Sequence, residues 1–159
     1  MNRGKAVVLD ALDRKILDAL QRDATASLEQ LAARLRASKT PIWNRIRKLR
    51  EAGVIEREVA ILSPEAVGLD ACFVVLIRTD RHEPDWLERF TAAVREMPEI
   101  LSAHRVAGDI DYVLTVRVAD ARAYDAFYRR LIERVSLFNV TSLLSMEEIK
   151  ATTVLPLGD

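Results

Sequence analysis

Side chains that can bind a polyanion are concentrated between residues 34 and 57. This stretch has eight Lys and Arg residues against two glutamates, whereas the whole chain has 24 basic and 24 acidic residues among 159. Arginine and lysine donate hydrogen bonds to phosphates and guanine edges, and asparagine pairs with adenine. The segment therefore indicates a nucleic-acid contact, and on charge alone a solvated helix face fits equally well.

Hydrophobic spacing decides which side of this segment is available for binding. Ile42, Ile46 and Leu49 repeat at helical intervals, so a helix over this stretch turns them inward and leaves the polar residues outside or on the flanks. Trp43 fits either a DNA contact or packing against a neighbouring helix. The predicted DNA contacts are Lys39, Thr40, Trp43, Asn44 and Arg47, with phosphate contacts from Lys48, Arg34, Arg36 and Arg57.

Two aspartates in a predicted hairpin turn form a second candidate site. Asp109 and Asp111 follow Gly108, and paired carboxylates can share a proton or hold a cation. No histidine, lysine or further carboxylate lies directly beside them, which disfavours catalysis and metal binding. Two interpretations remain. The pair belongs to ordinary turn structure, or its carboxylates and the turn N–H groups hold the charged ends of a free amino acid.

Other reactive side chains are few. Cys72 lies in the apolar run CFVVLI and is expected to be a buried, inert thiol. With His82 and His104 it makes too small a set for a metal cage. His104 and Arg105 suggest proton donors, but surface or interface side chains of a strand are the favoured interpretation. We expect no metal and no cofactor.

Three predicted helices contain the basic segment. Asp10, Ser27 and Ser38 are typical N-caps, each placed just before an apolar stripe with helical spacing. The short turn between the last two helices predicts a helix-turn-helix. Residues 54–62 are expected to add a strand or wing. The domain boundary is expected at residues 60–68.

The second half of the chain has a different pattern. Strands are predicted at 71–77, 100–107, 112–118 and 137–149, with helices starting near Pro84 and Asp120. The order βαββαβ is ferredoxin-like, with both helices on one face of an antiparallel sheet. Apolar positions on both sides of the strands predict that a second subunit covers the open face. The predicted class is α+β, with domains 1–60 and 61–159.

No segment predicts membrane insertion. No window approaches the roughly 18–20 apolar residues of a membrane span, and Asp10 and Asp13 interrupt any signal-peptide core. A cytoplasmic protein without a membrane partner is therefore expected.

Several short segments follow one another in a fixed order along the chain. They are LDALDRKIL at 9–17, LQRD at 20–23, SKTP at 38–41, Arg45-Ile46 with Leu49, GVI at 53–55, GDIDY at 108–112 and MEEIK at 146–150. No single segment is decisive, but their order and spacing together are highly specific. They resemble the segments of the Lrp/AsnC, or feast/famine, family of transcription regulators.

The resemblance implies a winged helix-turn-helix domain that binds double-stranded DNA, followed by a ferredoxin-like, RAM-type domain. That domain dimerises and often builds larger assemblies up to octamers. The resemblance also implies a small-molecule effector, typically an amino acid, bound near the loop after the second strand. The expected function is a sequence-specific transcriptional regulator and not an enzyme. The candidate effector contacts are Gly108, Asp109, Ile110 and Asp111, with Ser142 suggested by family position.

An enzyme is the alternative class. Siroheme decarboxylases resemble this family in both domains, and their chemistry needs cationic and imidazole groups around a tetrapyrrole carboxylate. His104 and Arg105 are the adjacent pair of that kind in the sequence.

Overall fold

The computed structural model describes residues 7–80 and 83–158, which form two compact units. Unit 1 contains the chain up to Ala60 together with the residues from Lys150 onward, and unit 2 is Ile61–Ile149. The sequence predicted domains 1–60 and 61–159. The structure differs at the C-terminal segment, which groups with the helical unit. Within the described residues, no helix has the length and apolarity needed to cross a membrane.

Unit 1 contains three helices that begin close to the predicted caps. They are α1 (Ala11–Arg22), α2 (Leu28–Leu35) and α3 (Lys39–Glu51). The Asp10 carboxylate accepts the N–H of Asp13 at 2.9 Å, and Ser27 and Gln30 cap α2 reciprocally. Ser38 occupies the N-cap of α3 but makes no side-chain capping bond.

The helices of unit 1 pack around a small apolar core. The predicted stripe of α3 is buried, since Ile42, Ile46 and Leu49 are at most 7% exposed. The turn between α2 and α3 passes through Arg36, whose φ of 52° is left-handed. A residue with a Cβ rarely adopts this backbone conformation. Here it ends α2, and the Ala37 N–H donates to the Ala32 carbonyl at 3.1 Å. The buried core residues are Ile16, Ala19, Leu31, Ile42 and Ile46.

In the single chain that the structure describes, residues 54–62 do not form the predicted strand, and most of them are exposed. A strand needs a neighbour that accepts and donates its backbone hydrogen bonds, and no described segment pairs with this one. The alternation of apolar residues was therefore not sufficient to form a strand at 54–62 in the single chain.

The C-terminal segment contacts α1 through its backbone. The Gln21 side chain donates to the Leu155 carbonyl at 3.3 Å, and the Leu155 N–H donates to the Gln21 Oε1 at 2.6 Å. The Arg14 guanidinium donates to the Leu157 carbonyl. One glutamine thus satisfies both backbone groups of Leu155, which fixes an otherwise irregular segment on the helix.

Unit 2 has the predicted βαββαβ order. Its sheet is antiparallel with the strand order β2-β3-β1-β4, and β4 is shorter than the predicted 137–149. The elements are β1 (Ala71–Arg78), α4 (Pro84–Glu96), β2 (Ile100–Arg105), β3 (Tyr112–Val118), α5 (Ala121–Arg134) and β4 (Asn139–Leu144).

The core of unit 2 lies between the sheet and both helices. Alternate residues of β1 and β3, such as Val75 and Leu114, face α4 and α5 and are fully buried. Trp86 is the inward residue of the first turn of α4, whereas its neighbour Leu87 is 39% exposed. The Trp86 indole N–H donates to the Ser136 carbonyl at 2.8 Å. The indole has an acceptor here, which allows its burial.

The opposite face of the sheet has no helix on it in the described chain. Val74 of β1 lies on this face beside Leu143 of β4, and Leu76 lies beside Val113 of β3. These side chains are half-buried or exposed. Cys72 occupies the same face and is only partly buried, which corrects the expectation of a buried thiol.

Candidate nucleic-acid interface and loop site

The outer side of α3 has the polar and basic character that the sequence predicted. Lys39, Thr40, Arg47 and Lys48 are exposed, because the apolar stripe of the helix faces the core of unit 1. Three further predicted contacts outside α3 are also exposed. They are Arg34, Arg36 and Arg57.

Trp43 and Arg47 form a single feature on this surface. The Arg47 guanidinium carbon lies 4.9 Å from the centre of the Trp43 ring, and the ring remains 48% exposed. A cation over an indole face is attracted by the ring's charge distribution. Trp43 is therefore a surface residue that supports Arg47, and it is not a core residue.

Asn44 is the least accessible of the predicted base contacts. It is half-buried and lines a cavity of about 420 Å³ beside α3. Val7, Val8 and Lys48 also line this cavity. Asn44 thus borders a pocket that the segment preceding α1 helps to line.

Several cations of unit 1 have carboxylate partners. Lys39 pairs with Glu29 of α2, and Arg47 lies 3.6 Å from Glu51 one turn later. The hydrogen bond from Lys39 lowers the pKa of Glu29 below its usual range. The spacing of Arg47 and Glu51 is visible in the sequence, whereas ten residues separate Lys39 from Glu29 and give no local signal.

Arg45 has a different role from the other basic residues. Its guanidinium donates to Asp10 and, at 2.8 Å, to Asp13, both at the start of α1. Hydrogen bonds from the Asp13 backbone N–H and from Arg45 lower the pKa of Asp10. Arg45 therefore connects α3 to α1, while Arg47 lies on the outer side between Trp43 and Glu51.

The loop after β2 separates the two predicted aspartates. One carboxylate oxygen of Asp111 accepts the N–H of Thr79 at 2.8 Å, and the Asp111 N–H donates to the Ile77 carbonyl at 3.0 Å. Asp109 is exposed beside Gly108, whose φ of 142° is a conformation that glycine tolerates. Asp111 thus holds the loop against the end of β1, and Asp109 is the accessible carboxylate. Ile110 is half-buried.

Ser142 does not join this loop within unit 2. It pairs with Val75 in the middle of β1, and its hydroxyl shares a hydrogen bond with the hydroxyl of Tyr124. The Tyr124 ring stacks on Phe73 with centroids 3.9 Å apart, and burial raises the pKa of Tyr124. Ser142 therefore faces the helices.

The enzymatic alternative receives no support from the strand β2. His104 pairs with Val113 and Arg105 pairs with Tyr112, so successive side chains point to opposite faces of the sheet. Both are exposed. Among the described residues, no group of three or more His, Cys, Asp and Glu is placed to hold a metal ion, and His82 lies outside them.

A helix-turn-helix with a basic outer face, on the same chain as a ferredoxin-like unit, defines the class of two-domain DNA-binding regulators. Residues 9–56 match the family described as winged helix-turn-helix DNA-binding, and residues 72–155 match the Lrp/AsnC ligand binding domain. The chain belongs to the Lrp/AsnC family of transcriptional regulators, whose named members are not enzymes.

Similar proteins match nearly the whole chain. The DNA-binding transcriptional activator DecR of Escherichia coli K12 is 46% identical over 94% of this chain and 99% of its own length. An AsnC family regulator from Agrobacterium tumefaciens has a TM-score of 0.91 at 48% identity, covering 94% of this chain and 97% of that one. A regulator from Neisseria meningitidis, solved with L-Met, has a TM-score of 0.90 at 34% identity with the same coverage.

Proposed function

We propose that this regulator inserts α3 into the major groove of an operator. Burial of Ile42, Ile46 and Leu49 on one side, with Arg47 over Trp43 on the other, is the observation that carries this proposal. Major-groove readout needs donors and acceptors that project from such a helix. Lys39, Thr40, Asn44 and Arg47 contact base edges in this proposal, and Arg34, Arg36, Lys48 and Arg57 contact phosphates.

The proposal includes a homodimer formed through unit 2. The helix-free face of the sheet presents apolar residues such as Leu76 and Leu143, and Met146 and Ile149 beyond β4 are both 91% exposed. Uncovered apolar surface of this kind marks a protein contact. A two-fold dimer requires a two-fold operator, so an imperfect palindrome is expected. Tetramers and octamers of these dimers belong to the same proposal.

We further propose that an amino acid modulates the regulator through the loop Gly108–Asp111. The complex of the Neisseria meningitidis relative with L-Met supports this choice of ligand class. Asp109 is the accessible carboxylate for an ammonium group, and Asp111 maintains the loop. Ser142 stays a weaker candidate, since it bonds Tyr124. The effector would act by favouring one assembly geometry. Because the protein acts on promoter DNA in this proposal, we place it in the cytoplasm.

The test of DNA recognition is a pair of arginine variants. Arg47→Ala is expected to weaken binding to a promoter duplex selected from a random pool by about 1–3 kcal/mol and to relax preference at one base pair. Arg22→Ala is the control, because Arg22 is an exposed arginine of α1 paired with Asp18. Equal affinity and selectivity of Arg47→Ala and the parent would contradict the assignment of Arg47.

The test of the effector is calorimetry against each proteinogenic amino acid, followed by light scattering. We expect one amino acid class to release heat and to change the size of the assembly. Asp109→Ala is expected to lose this response while its unfolding transition stays unchanged. A uniformly silent screen at constant assembly size would remove the effector from the proposal.

A further inference from the structure

Two cations on the outer side of α3 have carboxylate partners before any DNA binds. Lys39, at the first position of the helix, pairs with Glu29 of α2. Arg47, two turns later, lies 3.6 Å from Glu51. The proposed function assigns both cations to base edges of the operator, and on a duplex of another sequence they would meet phosphates instead. Either mode of docking must therefore change their partners.

These two pairs are open to solvent. The side chains of Lys39 and Glu29 are 56% and 65% exposed, and those of Arg47 and Glu51 are 53% and 65% exposed. An exposed ion pair is weak and is screened by salt. It is also accessible to an incoming phosphate, which carries the same charge sign as the carboxylate and accepts the same hydrogen bonds.

We propose that Glu29 and Glu51 are intramolecular competitors of DNA, which hold down the affinity of the α3 surface for duplex of any sequence. The inference rests on the proposed docking of α3. Each carboxylate must give up its cation when DNA binds, and it is then left near phosphates of like charge. Phosphate contacts alone are weakened by this exchange, so stable binding requires base contacts in addition.

The competition has a signature in salt dependence. Each phosphate contact made by a cation contributes about −0.9 to the slope of log K against log salt. A carboxylate released by the exchange attracts counterions again and cancels part of that contribution. Removing the carboxylate charge is therefore expected to steepen the slope by up to about one unit. A residue that only supports the fold does not change this slope.

The experiment measures fluorescence anisotropy of a labelled mixed-sequence duplex and of a promoter duplex selected from a random pool. The proteins are full-length Glu29→Gln, Glu51→Gln and the parent, from about 50 to 200 mM salt. Asp125→Asn is the matched control, because Asp125 forms the same kind of exposed pair with Arg129 on α5 of unit 2 and the variant loses the same charge. Thermal melts verify that each variant is folded. Because Glu29 lies on α2 and Glu51 on α3, the two variants test the proposal at separate helices.

We expect each glutamine variant to bind the mixed-sequence duplex about 1.5- to 5-fold more tightly than the parent, with a steeper salt slope. Asp125→Asn is expected to stay below this gain. The inference is overturned when Glu29→Gln and Glu51→Gln bind no more tightly than Asp125→Asn, or bind more weakly. Lys39→Ala and Arg47→Ala separate the two levels of the argument. Unchanged binding in both refutes the docking of α3, whereas weakened binding without a gain in the glutamine variants refutes only the competition.

Discussion

Replacing Asp111 distinguishes the structural aspartate of the loop from the accessible one. A carboxylate oxygen of Asp111 accepts the N–H of Thr79 at 2.8 Å, at the end of β1. The backbone of Asp111 also bonds Ile77 and Val106, and those bonds do not need the side chain. Asp111→Ala therefore removes one hydrogen bond between the loop and β1 and leaves the backbone contacts in place.

The expected cost follows from the nature of this bond. Hydrogen bonds to a charged group stabilise by roughly 1.5–3 kcal/mol, and the partial exposure of Asp111 favours the lower end, about 1.5 kcal/mol. Asp111→Asn keeps an oxygen acceptor and is expected to cost about half as much. Asp109→Ala changes an exposed side chain and is expected to stay within about 0.5 kcal/mol of the parent.

The assay is urea unfolding in a Trp43→Phe background, so that the emission comes from Trp86 in the core of unit 2. With a slope of about 1–3 kcal/mol per M, Asp111→Ala is expected to lower the midpoint by roughly 0.5–1.5 M. Equal midpoints for Asp111→Ala and Asp109→Ala would refute the reasoning, and so would an Asp111→Asn variant as unstable as the alanine variant.

Three further predictions concern the core, the first cap and the C-terminal segment. Phe127→Ala is expected to cost about 3–5 kcal/mol in urea unfolding, since Phe127 is fully buried, and Phe127→Leu to cost less; equal stability would contradict the packing. The Asp13 N–H and Arg45 lower the pKa of Asp10 below its ordinary 3.8. Ionised Asp10 therefore adds its full stabilisation to unit 1 above pH 3.8, and this stabilisation is lost as the pH falls through the lower pKa of the folded state. Asp10→Asn keeps a capping oxygen, so its thermal melts should fall below those of the parent at neutral pH and converge with them in acid; a constant gap would contradict this. Gln21→Ala is expected to speed hydrogen exchange at the Leu155 amide, and an unchanged rate would contradict the contact.

The helices were predictable because their signals are local. Asp10 and Ser27 cap helices through bonds that span three residues, and the stripe of α3 repeats within two turns. Because Ile42, Ile46 and Leu49 were assigned to the inner side of α3, Arg47 was correctly predicted to lie on the surface. It did not reveal that Lys39 pairs with Glu29, because that contact depends on how α2 and α3 pack.

The errors occur where structure depends on distant partners. Residues 54–62 alternate like a strand, yet alternation alone does not supply a neighbouring strand. Trp86 and Leu87 are adjacent and both apolar, and the inward position of Trp86 depends on distant contacts such as the Ser136 carbonyl. The contact of Gln21 with Leu155 joins residues 134 positions apart. It involves only backbone atoms of Leu155, so the residue types at the C-terminal end do not predict it.

The position of the C-terminal segment on α1 makes unit 1 discontinuous in sequence. A fragment that stops near residue 60 would lack the C-terminal segment whose carbonyls Gln21 and Arg14 bind, and would expose those two side chains to water. Dissection of this protein for solution studies is therefore better served by a single-chain fusion in which residues 150–158 are joined by a flexible linker to the three-helix fragment. In such a fusion the linker takes the place of unit 2, which lies between the two parts of unit 1 in the sequence.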